Sequence, residues 1–180
     1  MVRGADELPL TRRIVTAIDN DGLSYIADDG PSPAVITVPE RPGYRNHNIW
    51  RTTGRIQDAD TILDHRGVLP LTGGTIIRVI DIPPRPADSD EARRQMAAVF
   101  TKLFPDAKHQ SDSQRAPGMH TTDTIDYAVV IKGEIVAVMD RGEAILREGD
   151  ILIQRGTNHA WENRSGRSVR VLFILCDSRR

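Results

Sequence analysis

The chain holds one cysteine, Cys176, among 180 residues, so it can form no internal disulfide, and its fold must rest on an ordinary core. Long apolar runs are missing as well. No stretch approaches the roughly 20 apolar residues that a membrane-crossing helix requires, and the opening MVRGADELPL lacks the apolar centre of a signal peptide or anchor. Nor does one sign of charge prevail: 24 basic and 25 acidic residues leave a net charge of −1, scattered rather than gathered into the basic stripe of a nucleic-acid surface. Internal repeats and low-complexity tracts are absent too. Together these absences argue against nucleic-acid and membrane partners and favour a reducing, cytoplasmic location. The length suits one domain with enough apolar surface for a real core.

What is present reads mostly as strands. Arg13 to Ile18 (RIVTAI) and Leu23 to Ala27 (LSYIA) flank the turn formers Asp19-Asn20-Asp21-Gly22, which predicts a hairpin. Ala34 to Val38 is a third short strand, closed by Pro39 and Pro42. Thr75 to Ile82 (TIIRVIDI) is another, stopped by Pro83-Pro84, which remove two backbone donors. A single helix is predicted from about Asp90 to Leu103. Ser89 is placed to cap it, Asp90 and Glu91 put negative charge at its positive end, and Ala92, Met96, Val99, Phe100 and Leu103 form an apolar stripe. From Met119 onward short strands alternate with glycine turns at Gly133, Gly142, Gly149 and Gly156. Such regular spacing favours a closed antiparallel barrel or sandwich, and a barrel also removes exposed strand edges. The fold class is therefore all-β, with residues 1–74 as an N-terminal arm with strands that pack on the barrel, and 75–180 as the barrel core including helix 90–103.

Two segments carry chemistry: Pro117-Gly118-Met119-His120-Thr121-Thr122-Asp123-Thr124-Ile125-Asp126-Tyr127, and Gly149 to Asn163, whose end reads QRGTNHAWEN. On a strand, residues i and i+2 share a face. His120 and Thr122 therefore point one way, as do His159, Trp161 and Asn163. Asp126 lies an even number of positions beyond His120 and reaches the same cavity if no bulge intervenes. Two imidazoles and a carboxylate on a rigid wall can hold a divalent metal ion with open positions for substrate or water. His120, Asp126 and His159 are thus the candidate metal ligands and catalytic residues. Thr122 and Trp161 are candidate substrate contacts, and Asn163 a loop anchor. Trp50 and Arg51, in the cluster His47, Asn48, Trp50 and Arg51, form a candidate clamp for a planar acid, set against the plainer alternative of a surface loop packed on the barrel. His65 and His109 sit in polar loops and are expected to be exposed; the loop of His109 leads into the motif and is placed to fold over the mouth.

At these residues the chain resembles the cupin superfamily. His120 and Gly133 match the family's first motif, with Thr122 where a second histidine belongs and Asp126 in place of glutamate; Gly149, Gly156, His159 and Asn163 match the second. The resemblance covers roughly residues 75 to 176 and is similar in detail to small single-domain cupins. It implies a double-stranded β-helix barrel, one bound divalent metal ion (Zn, Fe, Mn or Ni), a small-molecule substrate and a homodimer. The expected function is a metal-dependent enzyme of lyase type acting on a small organic acid or oxygenated compound by decarboxylation, dehydration or isomerisation. The alternatives are a non-haem iron dioxygenase with the same three ligands, and a non-catalytic barrel that binds a small ligand.

Overall fold

A computed structural model describes residues 8–53 and 61–179. The N-terminal hairpin forms where the turn residues place it, from β1 (Arg12–Ile18) and β2 (Ser24–Pro31). The Asp19 carboxylate closes its turn by accepting from the backbone N–H groups of Asp21 and Leu23, each at 2.9 Å. Next come β3 (Ala34–Thr37), β4 (Arg45–Arg51) and β5 (Thr75–Ile82). The segment that holds His47, Asn48, Trp50 and Arg51 is β4, an inner strand paired to both β3 and β5. It is not the surface loop that its polar composition suggested, because its alternate residues find partners on both faces of the sheet.

Helix α1 (Ser89–Leu103) buries Ala92, Val99, Phe100 and Leu103, four of the five residues of its apolar stripe. Its cap is Asp88 rather than Ser89: the Asp88 carboxylate accepts from Glu91 N–H at 2.6 Å, so the helix starts one residue before the expected Asp90. Then follow β6 (Lys108–His109), β7 (His120–Thr121), β8 (Thr124–Lys132), β9 (Glu134–Met139), β10 (Glu143–Arg147), β11 (Ile151–Arg155), β12 (His159–Glu162) and β13 (Val169–Asp177). Among the described residues these strands form a smaller sheet in the order β10-β9-β12-β7-β6 and a larger one in the order β11-β8-β13-β5-β4-β3. Each strand that joins the larger sheet from before residue 75 does so through backbone hydrogen bonds, not by packing alone.

One apolar core joins the two sheets. Ile135, Ala137 and Leu146 enter it from the smaller sheet, and Ile76, Ile80, Ala128, Val171 and Phe173 from the larger. Strand β13 shows the period of two that drives this: Val169, Val171, Phe173 and Leu175 are buried and the residues between them are half-buried. The chain passes from one sheet to the other at Thr122 and Asp123, between β7 and β8. That crossing decides the geometry of the site.

Candidate functional site

His120 and His159 stand directly opposite each other on β7 and β12. Cross-strand partners share a face, and their ring centroids lie 4.2 Å apart. Both rings line a narrow cavity of about 80 Å³, which Asp126, Thr122, Trp161, Arg41, Tyr44 and Arg78 also reach. The separation that sequence parity left open between the two histidine motifs is thereby closed by strand pairing.

Each ring is held in the same manner. His120 Nδ1 lies 2.9 Å from the carbonyl of Gly118, and His159 Nδ1 lies 2.9 Å from the carbonyl of Thr157. A carbonyl only accepts, so each Nδ1 carries the proton and each Nε2 keeps its lone pair. Burial, the neighbouring His159 ring and, less strongly, His109 push the His120 pKa down to about 3, and burial lowers that of His159. Both imidazoles are neutral at physiological pH.

Gly118 sets the approach to His120. Its φ of +83° is open to glycine, and a Cβ there would lie 2.8 Å from Met96 Cε on α1. Phe100, one turn along α1, meets the site directly. Its ring lies 4.8 Å from that of His120 and stacks on His109 at 4.1 Å. His109 is therefore half-buried against the helix rather than exposed, paired across β6 and β7 with His120.

Asp126 reaches the cavity from the other side. It lies on β8 in the larger sheet, beside Gln154 and Leu175, whereas both histidines lie in the smaller sheet. Only 6% of it is exposed, and its Oδ1 has no hydrogen-bond partner. Burial raises its pKa to about 6, against the opposing pull of the Thr124 hydroxyl and the Arg78 charge. Among the described residues no three His, Cys, Asp or Glu side chains gather closely enough to hold a metal ion. The expected ligands His120, Asp126 and His159 therefore line one cavity from two different sheets without forming such a group among the described residues. The residues present supply two nitrogen donors, which do not fit a three-ligand site. Thr122, where a second histidine would stand, accepts a hydrogen bond from Thr124 Oγ1 at 2.8 Å.

The substrate contacts divide. Thr122 and Trp161 line the cavity, with the Trp161 ring 5.3 Å from Phe173 and 6.0 Å from His159. Trp50 and Arg51 do not line it. Trp50 pairs with Ile77, past a register shift in β4, and Arg51 donates to Thr61 Oγ1 at 2.9 Å. The shift changes the parity of β4 beyond Asn48. Asn163 anchors its loop, donating to the Ile82 carbonyl at 2.8 Å and accepting from Ser165.

Sequence reasoning missed two arginines. Arg78 is 1% exposed. Its Nη2 donates to the Val68 carbonyl at 3.0 Å and lies 3.2 Å from His65 Nε2, while Nε and Nη1 have no partner. Burial lowers its pKa to about 10, so it stays a cation at neutral pH. His65, expected in solvent, is buried against it, with its pKa pushed down to about 4 by burial and by the Arg78 charge. Arg41 is 4% exposed, sits 5.0 Å above the Tyr44 ring, and leaves Nε without a partner. Burial raises the Tyr44 pKa to about 12, which keeps the phenol neutral. No carboxylate forms an ion pair with either arginine among the described residues, and an uncompensated buried charge costs several kcal/mol. Arg78 carried a readable signal, because it shares strand parity with Ile76, Ile80 and Ile82. Arg41, between Pro39 and Pro42 in a loop, carried none.

Comparison with known proteins gives partial matches. No family model matches the chain. Over 63 residues the chain is 49% identical to phomopsin biosynthesis cluster protein C' of Diaporthe leptostromiformis, a match covering 34% of this chain and 33% of that protein. A cupin-domain-containing oxidoreductase of Aspergillus ruber is 44% identical over 70 residues, 34% of each chain. The chain thus spans about a third of the length of the curated relatives it matches. The cupin domain of Cnp3 from Schizosaccharomyces pombe superposes with a TM-score of 0.46 at 9% identity, covering 92% of this chain and 87% of that one.

Proposed function

We propose that this chain, a cupin in its barrel and in the order of its two motifs, is an enzyme of lyase or isomerase type that moves a proton on a small oxygenated organic molecule. One observation carries the reading: a buried carboxyl, Asp126, with an unpartnered oxygen inside an apolar cavity that also holds two neutral imidazoles. A general acid or base works best when its pKa lies near the working pH, and burial brings Asp126 towards that range, to about 6. His120 and His159 keep their Nε2 lone pairs as acceptors for a substrate hydroxyl or water, since their Nδ1 atoms are committed to backbone carbonyls. Phe100, Phe173 and Trp161 give the same space apolar walls, and low-dielectric surroundings strengthen each polar contact made there.

The test uses enolisable carbonyl compounds in deuterated water, with exchange at the α-carbon followed by NMR. The parent is expected to catalyse exchange, and Asp126→Asn to lower the rate 100-fold or more, within the range typical of general acid–base catalysis. Exchange that survives intact in Asp126→Asn refutes the assignment.

A second reading is an oxidoreductase that holds a transition metal. The name of the Aspergillus ruber relative, an oxidoreductase, and the paired neutral imidazoles favour it. It requires ligands beyond His120 and His159, because no third such side chain joins them among the described residues. Elemental analysis of the purified chain and of its His120→Ala and His159→Ala variants decides it: stoichiometric metal lost in both variants supports it, and none in the parent rejects it.

A further inference from the structure

We infer that the cavity binds a small organic monocarboxylate, held by Arg78 and Arg41 on one side and by apolar walls around its body. This deepens the proton-transfer reading by naming the substrate class, and it is tested by binding alone.

The argument begins with charge. Two guanidinium groups line the cavity, and the only carboxylate among its lining residues is Asp126. Neither arginine forms a salt bridge among the described residues, and Asp106 and Asp126 act on Arg78 only from beyond ion-pair distance, so neither fills a guanidinium donor. Arginine does not shed its proton to escape burial, and the lowered pKa of Arg78 still leaves it charged near neutrality. The donor inventory points the same way. A guanidinium carries five N–H donors. Arg78 spends Nη2 on the carbonyls of Val68 and Gly67 and leaves Nε and Nη1 unfilled, while Arg41 turns Nη1 to Met96 Sδ and leaves Nε unfilled. A carboxylate supplies the missing acceptors and the missing negative charge together.

The other walls set the rest of the ligand. Ile80, Val99, Phe100, Phe104 and Leu175 suit an apolar body. Asp126 reaches the cavity from β8 with its own unpartnered oxygen. Once ionised it opposes a second negative charge, which selects a monoanion over a dianion such as phosphate. Neutral ligands of the same shape leave both guanidinium groups unpaired and are rejected for that reason.

Trp161 lines the cavity and reports occupancy by fluorescence; Trp50 lies outside it and is removed by Trp50→Phe. In that background, acetate is titrated against acetamide, and propanoate against propanamide, at pH 8. The acid of at least one pair is expected to bind tenfold or more tightly than its amide. Arg78→Met is expected to erase that preference while changing amide affinity less than twofold. Asp126→Asn is expected to tighten acid binding several-fold by removing a like charge. Equal affinity within each pair, no saturable quenching by either acid, or an undiminished preference in a folded Arg78→Met protein overturns the inference. Should Arg78→Met not fold, Arg41→Met is read by the same criterion, beside the acid–amide comparison in the parent. Acid selectivity that persists while turnover is indifferent to Asp126→Asn sinks only the proton-transfer reading.

Discussion

Asp126 shows how one residue trades stability for chemistry. Its carboxyl titrates near 3.9 in an unfolded chain and at about 6 in the fold, because burial disfavours the charged form. The folded state therefore binds the proton more tightly, and stability falls as pH rises from about 4 to about 6. Above that window the buried, ionised carboxylate costs roughly 2–3 kcal/mol, from about two pKa units at 1.36 kcal/mol each. Asp126→Asn is expected to raise stability by about that amount at pH 8 and to leave it unchanged at pH 4, read from urea unfolding at both values. A variant equally stable or weaker at pH 8 contradicts the raised pKa. Asp81 is the opposite case. Burial alone would raise its pKa, yet hydrogen bonds from His47 and Arg170, with the charges of Arg170 and Arg45, pull it down to about 2. Both carboxylates are buried, and their partners alone set the sign. Strand parity brought His120, His159 and Asp126 towards one cavity, and it held a signal for Arg78 that went unread. It did not reveal which sheet each would join, since that depends on where the chain crosses at Thr122 and Asp123.

At the scale of elements, the site depends on α1 packing against the turn before β7. Gly118 sits in that turn with φ +83°, and its carbonyl holds His120 Nδ1. A side chain there meets two penalties: the left-handed backbone costs about 1–2 kcal/mol, and its Cβ presses on Met96 Cε. Gly118→Ala is expected to lower stability by roughly 1–3 kcal/mol and to shift the His120 ring signals, as read by thermal unfolding and imidazole NMR. Unchanged stability with an unmoved ring would show that the turn is not constrained as described. The helix itself was legible from its apolar stripe and acidic first turn. Strand β4 was not, because Arg45, Asn46, His47 and Asn48 look like a polar loop. His47 is fully buried 3.4 Å from Asp81, and Arg45 pairs with the same carboxylate at 2.7 Å. That partner lies 36 residues from Arg45, beyond the reach of any local pattern.

Across the whole molecule, the N-terminal hairpin stands out. Among the described residues strands β1 and β2 pair only with each other, and a lone two-stranded hairpin is marginally stable in water. Arg45 Nη2 donates to the Leu8 carbonyl and Arg170 Nη2 to that of Pro9, which ties the chain before β1 to the larger sheet. Ile14, Ile18 and Ile26 are nevertheless exposed on one hairpin face. We propose that this face pairs with a second copy, as expected from its apolar strands. Sedimentation is then expected to give twice 20.0 kDa for the parent and a monomer for Ile18→Asp/Ile26→Asp; a monomeric parent refutes the dimer.

The most direct test of the site is a pH titration of the imidazole nitrogens by long-range ¹⁵N NMR. The account predicts that His120 and His159 both carry their proton on Nδ1 at neutral pH, and that His120 stays neutral until the pH falls to about 3. Nitrogen shifts placing the proton on Nε2, or a His120 ring that titrates near 6.5 as an exposed histidine does, would contradict the paired, buried arrangement on which the proposed chemistry rests.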